Sequence, residues 1–474
     1  MARLRLAALL ALLAGAIRLL LGGGLVNYDT LYAIVWGRDL AHGRLPDYAV
    51  SIAPTPHPLA TLLSILLSPL SSHGVRGVHG ELASDVVLAG ALLSLAALGY
   101  LVYRLGSEWF NRWTGALAAA IVLTRQPVLD FGSRAYVDVP YLVLVLSALL
   151  IETRRRRAGA SVLALLAVAG LLRPEAWLLS AAYWLWLARG EDADPRELAR
   201  LAALAAAGPL LWFAADLAVT GNPLHSLTGT RHTARVLGRV TGIANVPGTA
   251  PRRLGEILRE PVLYGAAVGG ALSLLWLRSR ALLGAACGLL ALLAFTALAA
   301  AGLPIITRYL LLPAVLLAIF CGAGAFGWLE LARGDPRRRR WAAAAATVGL
   351  ALLVFIPSQV DRIGMLRSTL RGQQRIQADL ARLIRNGSIG RACGPISAPN
   401  HRPVPLLALW LNVEPQSIAA YPAARGTYLT AATPAVAKAY VLDKRDPVQT
   451  LAEPPAGFSP AGGDASWRVL RRCG

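Results

Sequence analysis

The chain has 474 residues, of which 56% are hydrophobic and only 15% charged, and a mean hydropathy of +0.53; soluble domains of ordinary composition carry roughly 25% charged residues. The apolar residues fall in long runs almost free of charge, which excludes a soluble globular protein and points to a polytopic membrane protein. The formal charge of +21 calls for no nucleic-acid partner, because the arginines cluster in short gaps between apolar runs, where the positive-inside rule places them.

Met1 to Arg5 is basic, and Leu6 to about Val26 is apolar. A retained membrane helix is expected rather than a signal peptide, since no small-x-small cleavage pattern precedes Asn27. Arg18, inside this run, is expected to snorkel. Asn27-Tyr28-Asp29-Thr30 then opens a stretch to Leu40 with apolar residues recurring at three and four, which predicts an amphipathic helix lying on the membrane. After a Pro-rich turn, Leu59 to Leu70 is apolar but far short of the roughly 20 residues that a span needs, so an interfacial helix is expected.

Further apolar segments run roughly over 84–103, 113–124, 137–151, 158–172, 175–188, 200–218, 261–277, 281–302, 309–329 and 341–357, which with the first makes eleven. The pair 158–172 and 175–188 is short, and Arg173-Pro174-Glu175 separates its members. Parity favours two crossings rather than one broken span. Only then do Arg154 to Arg157, Arg278 with Arg280, and Arg337 to Arg340 share one side, as cytoplasmic basic clusters should. The N-terminus is then inside, and 27–83, 219–260 and 358–474 are outside. In the second outer stretch Arg231, Arg235 and Arg239 recur every four residues, one basic stripe on a helix, suited to anionic lipid or to a substrate.

In the tail, Asp361 to Ile384 reads as an amphipathic helix. Ile389 to Ile396, Ser417 to Tyr421, Ala439 to Leu442 and Trp467 to Arg471 read as strands, with a helix near Pro405 to Leu411. Cys393 and Cys473 are the tail's only cysteines, both beside expected strands and on the oxidising side, so a disulfide between them is expected. The whole is expected to be an all-α polytopic membrane protein with about eleven transmembrane helices, N-terminus in and C-terminus out. Surface helices lie in the first outer loop, and the chain divides into a transmembrane domain over 1–357 and a small extracytoplasmic α/β domain over 358–474.

One membrane helix, an Asp just past its outer end, a surface helix running into Trp36-Gly37-Arg38-Asp39-Leu40-Ala41-His42-Gly43-Arg44-Leu45-Pro46, and a Pro-rich turn into a second short helix form a recognisable order. With Ser133-Arg134-Ala135-Tyr136-Val137-Asp138-Val139-Pro140, Leu172-Arg173-Pro174-Glu175, Gly221-Asn222-Pro223-Leu224 and Thr307-Arg308-Tyr309, it resembles the GT-C class of integral-membrane glycosyltransferases. Within that class it is most similar to the bacterial branch related to protein O-mannosyltransferases and lipid A aminoarabinose transferases. The resemblance covers roughly residues 1–330. It implies transfer of a sugar, mannosyl or pentosyl, from a polyprenyl-phosphate carrier to an envelope lipid, glycan or protein on the outer face. It also implies that Asp29 is the general base or acceptor-orienting carboxylate and Asp138 a second acid, with a divalent cation left open. No metal-ligand motif is visible, so a cation would be held by oxygens from distant residues.

Simpler roles compete for each residue. Asp29 suits an N-cap, and Arg134 and Asp138 are spaced for a local ion pair, with Asp130 the fallback acid. Arg173 and Arg308 flank short outer turns where basic residues are disfavoured, so an anion such as the carrier phosphate is the expected partner, with His57 a further contact. Otherwise Arg173 pairs with Glu175 and Arg308 snorkels. A transporter, or a carrier-binding assembly protein without catalysis, is the rival function. Transporters place ionisable groups near the midplane and show internal repeats, whereas the candidate acids here lie at the outer boundary and no repeat is detectable.

Overall fold

The computed structural model describes all residues except 1, 51, 72–76, 191–193, 391–392, 420–422, 442–455 and 474. From the N-terminus, α1 (Ala2–Leu21) leads into a first loop holding α2 (Tyr28–Ala41), α3 (Pro58–Leu66) and the single turn α4 (Ser68–Ser71). There follow α5 (Glu81–Trp109), α6 (Arg112–Thr124), α7 (Gln126–Ser133), α8 (Asp138–Arg154), α9 (Ala160–Gly170), α10 (Glu175–Ala188) and α11 (Pro195–Thr220). A second loop carries α12 (His225–Val236) and α13 (Val246–Leu258), before α14 (Glu260–Trp276), α15 (Arg278–Ala300), α16 (Leu311–Phe326), α17 (Pro336–Val354) and the long α18 (Ile356–Arg385).

Every expected apolar segment is therefore helical. Among the described residues, five helical stretches are long and apolar enough to cross a membrane, and counting two bent pairs, α7 with α8 at 109° and α17 with α18 at 40°, gives up to seven. The others are shorter: α6, α9, α10 and α14 have 13, 11, 14 and 17 residues. Their starts follow local chemistry, with Asn111 capping α6 and Asp194 and Asp335 capping α11 and α17 ahead of an N1 proline. Small residues set the closest helix contacts. A Cβ on Gly269 of α14 would sit 1.9 Å from the Phe320 carbonyl of α16, and one on Gly324 would sit 2.4 Å from the Gly265 carbonyl. In lipid, where burial of apolar surface drives little association, such backbone approach supplies the packing contacts.

The first loop differs from expectation. Instead of lying on the membrane by one apolar face, α2 is buried throughout from Thr30 to Asp39. On one side Gly37 presses against Ser64 of α3, where a Cβ would come within 2.5 Å. On another, the wholly buried Arg38 donates to the carbonyls of Ala408 and Val413 and to Asn412 in the tail, and pairs with Asp39 at 3.1 Å. A sequence pattern of period 3.6 reports one apolar face; here the polar face is covered too, because its charges are paired inside a protein interface.

The tail packs a five-stranded sheet beside α18, in the order β2-β1-β3-β5-β4. Its elements are β1 (Ile396–Ser397), α19 (Val404–Trp410), β2 (Ile418–Ala419), β3 (Gly426–Ala431), β4 (Ser459–Gly463) and β5 (Trp467–Arg472). β1 runs parallel to β2 and β3, while β5 lies antiparallel between β3 and β4, with Leu429 opposite Val469. Several corrections arise: among the described residues only Ile396 of the expected strand over 389–396 is in a strand, and β4 is unanticipated. Ala437–Val441 is a helical turn rather than the start of a strand over 439–442, whose last residue lies outside the described ones. And β3, unanticipated, is buried at all six positions, so it lacks the alternation that marks a half-buried strand. Cys393 and Cys473 are joined by a disulfide, Cα to Cα 5.0 Å. The tail's core is continuous with the first loop: Leu31, Ile34 and Val35 of α2 cluster with Leu380, Leu407 and Trp467.

Candidate active site

The site begins with a cap. Asn27, not Asp29, caps α2: its Oδ1 accepts from the backbone N–H of Asp29 at 2.8 Å and of Thr30 at 3.1 Å. Its Nδ2 donates to the Arg134 carbonyl at 2.8 Å, and the Thr30 hydroxyl donates to the Ala135 carbonyl at 2.7 Å, so the helix start is tied to the α7–α8 bend. The Asp29 carboxylate is thereby released from capping. It accepts instead from Arg308 Nη1 at 2.7 Å, with the two side chains 20% and 16% exposed.

Arg308 stands in a 3-10 turn, Thr307–Leu310, that feeds α16. It does not snorkel. Its guanidinium lies 5.4 Å from the Tyr136 ring and 6.0 Å from the Tyr309 ring, and Tyr309 takes the guanidinium of Arg173 at 4.2 Å. Arg173 is buried and pairs with Asp138 at 3.3 Å and Glu175 at 2.8 Å. The result is a continuous row, Asp29, Arg308, the Tyr309 ring, Arg173, then Asp138 and Glu175, assembled from α2, the turn before α16, the turn before α10, α8 and the start of α10. Arg134 and Asp138 do not pair, because the 109° bend puts them on different helices; Arg134 holds Asp130 at 2.6 Å and Gln373 at 2.6 Å instead.

Two cavities meet at Arg308. One, of about 320 Å³, is polar and contains Asp29, Tyr28, Arg239, Arg253, Arg308 and Arg402. The other, of about 400 Å³, is a mostly apolar groove lined by Trp177, Leu178, Trp212, Phe213, Ala294 and Leu298, with His57, Arg173 and Arg308 at its polar end. Arg308 and Tyr309 line both.

The chain is similar to the crystal structure of the Archaeoglobus fulgidus oligosaccharyltransferase in its apo form, with a TM-score of 0.45 and 14% identity over 77% of this chain and 56% of that one. The chain thus spans just over half the length of that protein. No family model matches the chain, and no curated protein matches it.

Electrostatics alter two expected roles. Burial pushes the Asp29 carboxyl upward, but the charge and hydrogen bond of Arg308 outweigh it and hold the group below the usual carboxylate range. While the pair is intact, the carboxylate is therefore a weak proton acceptor. His57 is 7% exposed, and burial, reinforced by the charge of Arg173, pushes its imidazole down to about 3. It faces the groove as a neutral ring, edge-on to Trp212 at 5.8 Å, with Nδ1 buried and without a hydrogen-bond partner.

The basic stripe is only half realised. Arg231 and Arg235 lie on α12, where Arg231 donates to the Ala301 carbonyl at 2.5 Å and Arg235 is exposed. The helix stops at Val236 and Gly238 turns with φ 56°, so Arg239 leaves the stripe and enters the polar cavity. Among the described residues, no group of three or more His, Cys, Asp or Glu side chains is placed to hold a metal ion. Sequence reasoning missed Tyr136 and Tyr309 as partners of the arginines, although both stand inside the quoted motifs; the contacts of Arg308 with Tyr136 and of Arg173 with Tyr309 join distant segments and leave no spacing signal.

Proposed function

We propose that this chain is a membrane glycosyltransferase of the GT-C class that transfers a sugar from a polyprenyl-phosphate carrier to an acceptor on the outer face of the membrane. The observation that carries this reading is the position of Arg308, at the mouth shared by an apolar groove and a polar cavity and in contact with the candidate acid. A polyprenyl chain suits the groove, its phosphate suits the guanidinium fork, and its sugar then lies beside Asp29. Eleven crossings with the N-terminus in and the C-terminus out put both cavities outside, with 1–357 as the membrane domain and 358–474 as an outer domain.

In this reading the acceptor hydroxyl oxygen attacks the anomeric carbon. The new C–O bond forms as the bond from that carbon to the phosphate oxygen breaks, the electron pair leaves with the polyprenyl phosphate, and the hydroxyl proton passes to Asp29. Arg308 stabilises the charge gathering on the leaving phosphate. As the phosphate draws the guanidinium away, Asp29 loses the counter-charge that holds it acidic and becomes a better proton acceptor. Arg173, tied to Asp138 and Glu175, positions Tyr309 beneath Arg308 rather than meeting the phosphate first. His57 supplies a neutral contact at the groove's end, and Arg231 and Arg235 face membrane lipid headgroups.

The test is incubation of the purified protein with a panel of labelled polyprenyl-phosphate sugars. One should be consumed, with loss of consumption in Arg308→Ala. Failure to consume any of them across lipid, glycan and peptide acceptors refutes the proposal.

A further inference from the structure

A third cavity, of about 450 Å³, adjoins the other two and has no part in the mechanism above. It lies between the strap 52–56 of the first loop and one face of α12. Thr55 and Thr230 line all three cavities, and their hydroxyls share a hydrogen bond of 2.5 Å at the seam where the three meet.

Its chemistry is unlike that of its neighbours. In a chain of formal charge +21, its described lining contains no Asp, Glu, Lys or Arg, whereas the cavity across the strap carries four arginines around Asp29. What it offers are hydroxyls and imidazoles, from Tyr48, His225, Thr228, Thr230, His232 and Thr233. Such groups both donate and accept, as does a sugar hydroxyl. A charged ligand would find no carboxylate, ammonium or guanidinium in this lining, and a wholly apolar one would leave the hydroxyls and imidazoles unpaired.

The walls are also held in place. Tyr48 stacks on His225 at 5.8 Å and sets its ring against Trp36 at 4.6 Å. The start of α12 is anchored by buried Asp216, which accepts from the Ser226 N–H at 2.7 Å and hydroxyl at 2.8 Å. Thr228 and Thr230 donate to helix carbonyls, at 3.1 Å and 2.6 Å, which orients their oxygens as acceptors toward the cavity.

We infer that this cavity is a subsite for an uncharged sugar ring, carried by the donor or by the acceptor, seated across the Thr55–Thr230 seam from the reacting carboxylate. The inference rests on the glycosyltransferase reading and narrows it: at least one substrate presents a neutral sugar within one ring of the transferred bond.

The test uses the full chain in lipid nanodiscs. Binding of neutral methyl glycosides (glucoside, mannoside, arabinoside), methyl glucuronide and an uncharged Ser-containing tripeptide is followed by ligand-observed NMR. Neutral glycosides should bind, and Thr228→Val with Thr233→Val should weaken them about tenfold, the scale of one lost hydrogen bond. Tyr48→Phe, which removes only a hydroxyl, serves as the conservative second variant, with thermal stability measured beside each. A rise in KM for the carrier-linked sugar in these variants assigns the subsite to the donor, and a rise for the acceptor assigns it to the acceptor. Glycoside binding that the variants leave unchanged, or preference for the glucuronide or the tripeptide, overturns the inference. Glycoside binding by an unsubstituted chain that consumes none of the carrier-linked sugars keeps the subsite while defeating the proposed reaction.

Discussion

Replacement of Asp29 by Asn separates the roles this residue can play. Because Asn27 makes the cap bonds to the N–H groups of residues 29 and 30, the start of α2 does not depend on the Asp29 carboxylate. What the substitution removes is the charge opposite Arg308, a contact of 2.7 Å between side chains 16% and 20% exposed. Charge-assisted hydrogen bonds contribute about 1.5–3 kcal/mol, and the Asn carbonyl still accepts from the guanidinium, so a loss of roughly 1–2 kcal/mol in stability is expected. Turnover should fall much further, by about 10² or more, because the proton of the attacking hydroxyl has lost its acceptor; tenfold in rate is about 1.4 kcal/mol, so this is about 2.7 kcal/mol or more of barrier. The assay is turnover at saturating carrier and acceptor, beside thermal unfolding of the same preparation. A variant that is destabilised yet fully active would show that Asp29 is only the counter-ion of Arg308. The base would then be sought at Asp138 or Asp130, each of which must first leave its own arginine.

The pH dependence follows from the same pair. Arg308 depresses the Asp29 carboxyl, so the ionised base persists at pH values below the usual carboxylate range near 3.9, and any stability from the pair is present above that range and fades only as pH falls through the depressed value. Arg308→Gln should move the acid limb of kcat/KM to higher pH; an unmoved limb means that another group titrates there. Gly269→Val should be severely destabilising, on the order of 3 kcal/mol or more as in other overpacked contacts, since even a Cβ meets the Phe320 carbonyl at 1.9 Å; normal detergent stability would mean that α14 and α16 are not packed this closely. Reduction of the Cys393–Cys473 bond, which closes a loop of sequence separation 80, should cost about 2–5 kcal/mol in the tail, read as its earlier cleavage by protease. Unchanged cleavage would show the bond to be dispensable.

Much of this protein is legible in one dimension because a membrane helix is defined by local composition: all eleven apolar segments are helices, and Asp29, Arg308, Arg173 and Asp138 stand out as charges at their ends. Pairing is another matter. Asp29 and Arg308 lie 279 residues apart, and no spacing rule links them; only the docking of the first loop against the turn before α16 makes each the other's partner and overrides the upward push of burial on the carboxylate. The cap shows the same limit at short range. Asn27 and Asp29 are both good capping residues, and the choice went to Asn27 because its amide also reaches the Arg134 carbonyl, more than a hundred residues away in sequence. Likewise α2 carries a surface helix's pattern, yet is buried because the tail covers its polar side and satisfies Arg38 there. The sequence determined where helices form and where charge is exceptional. Which charges neutralise one another, and which cavities they line, was decided by contacts between distant segments, since Coulombic and hydrogen-bond energies depend on distances that only the folded chain sets.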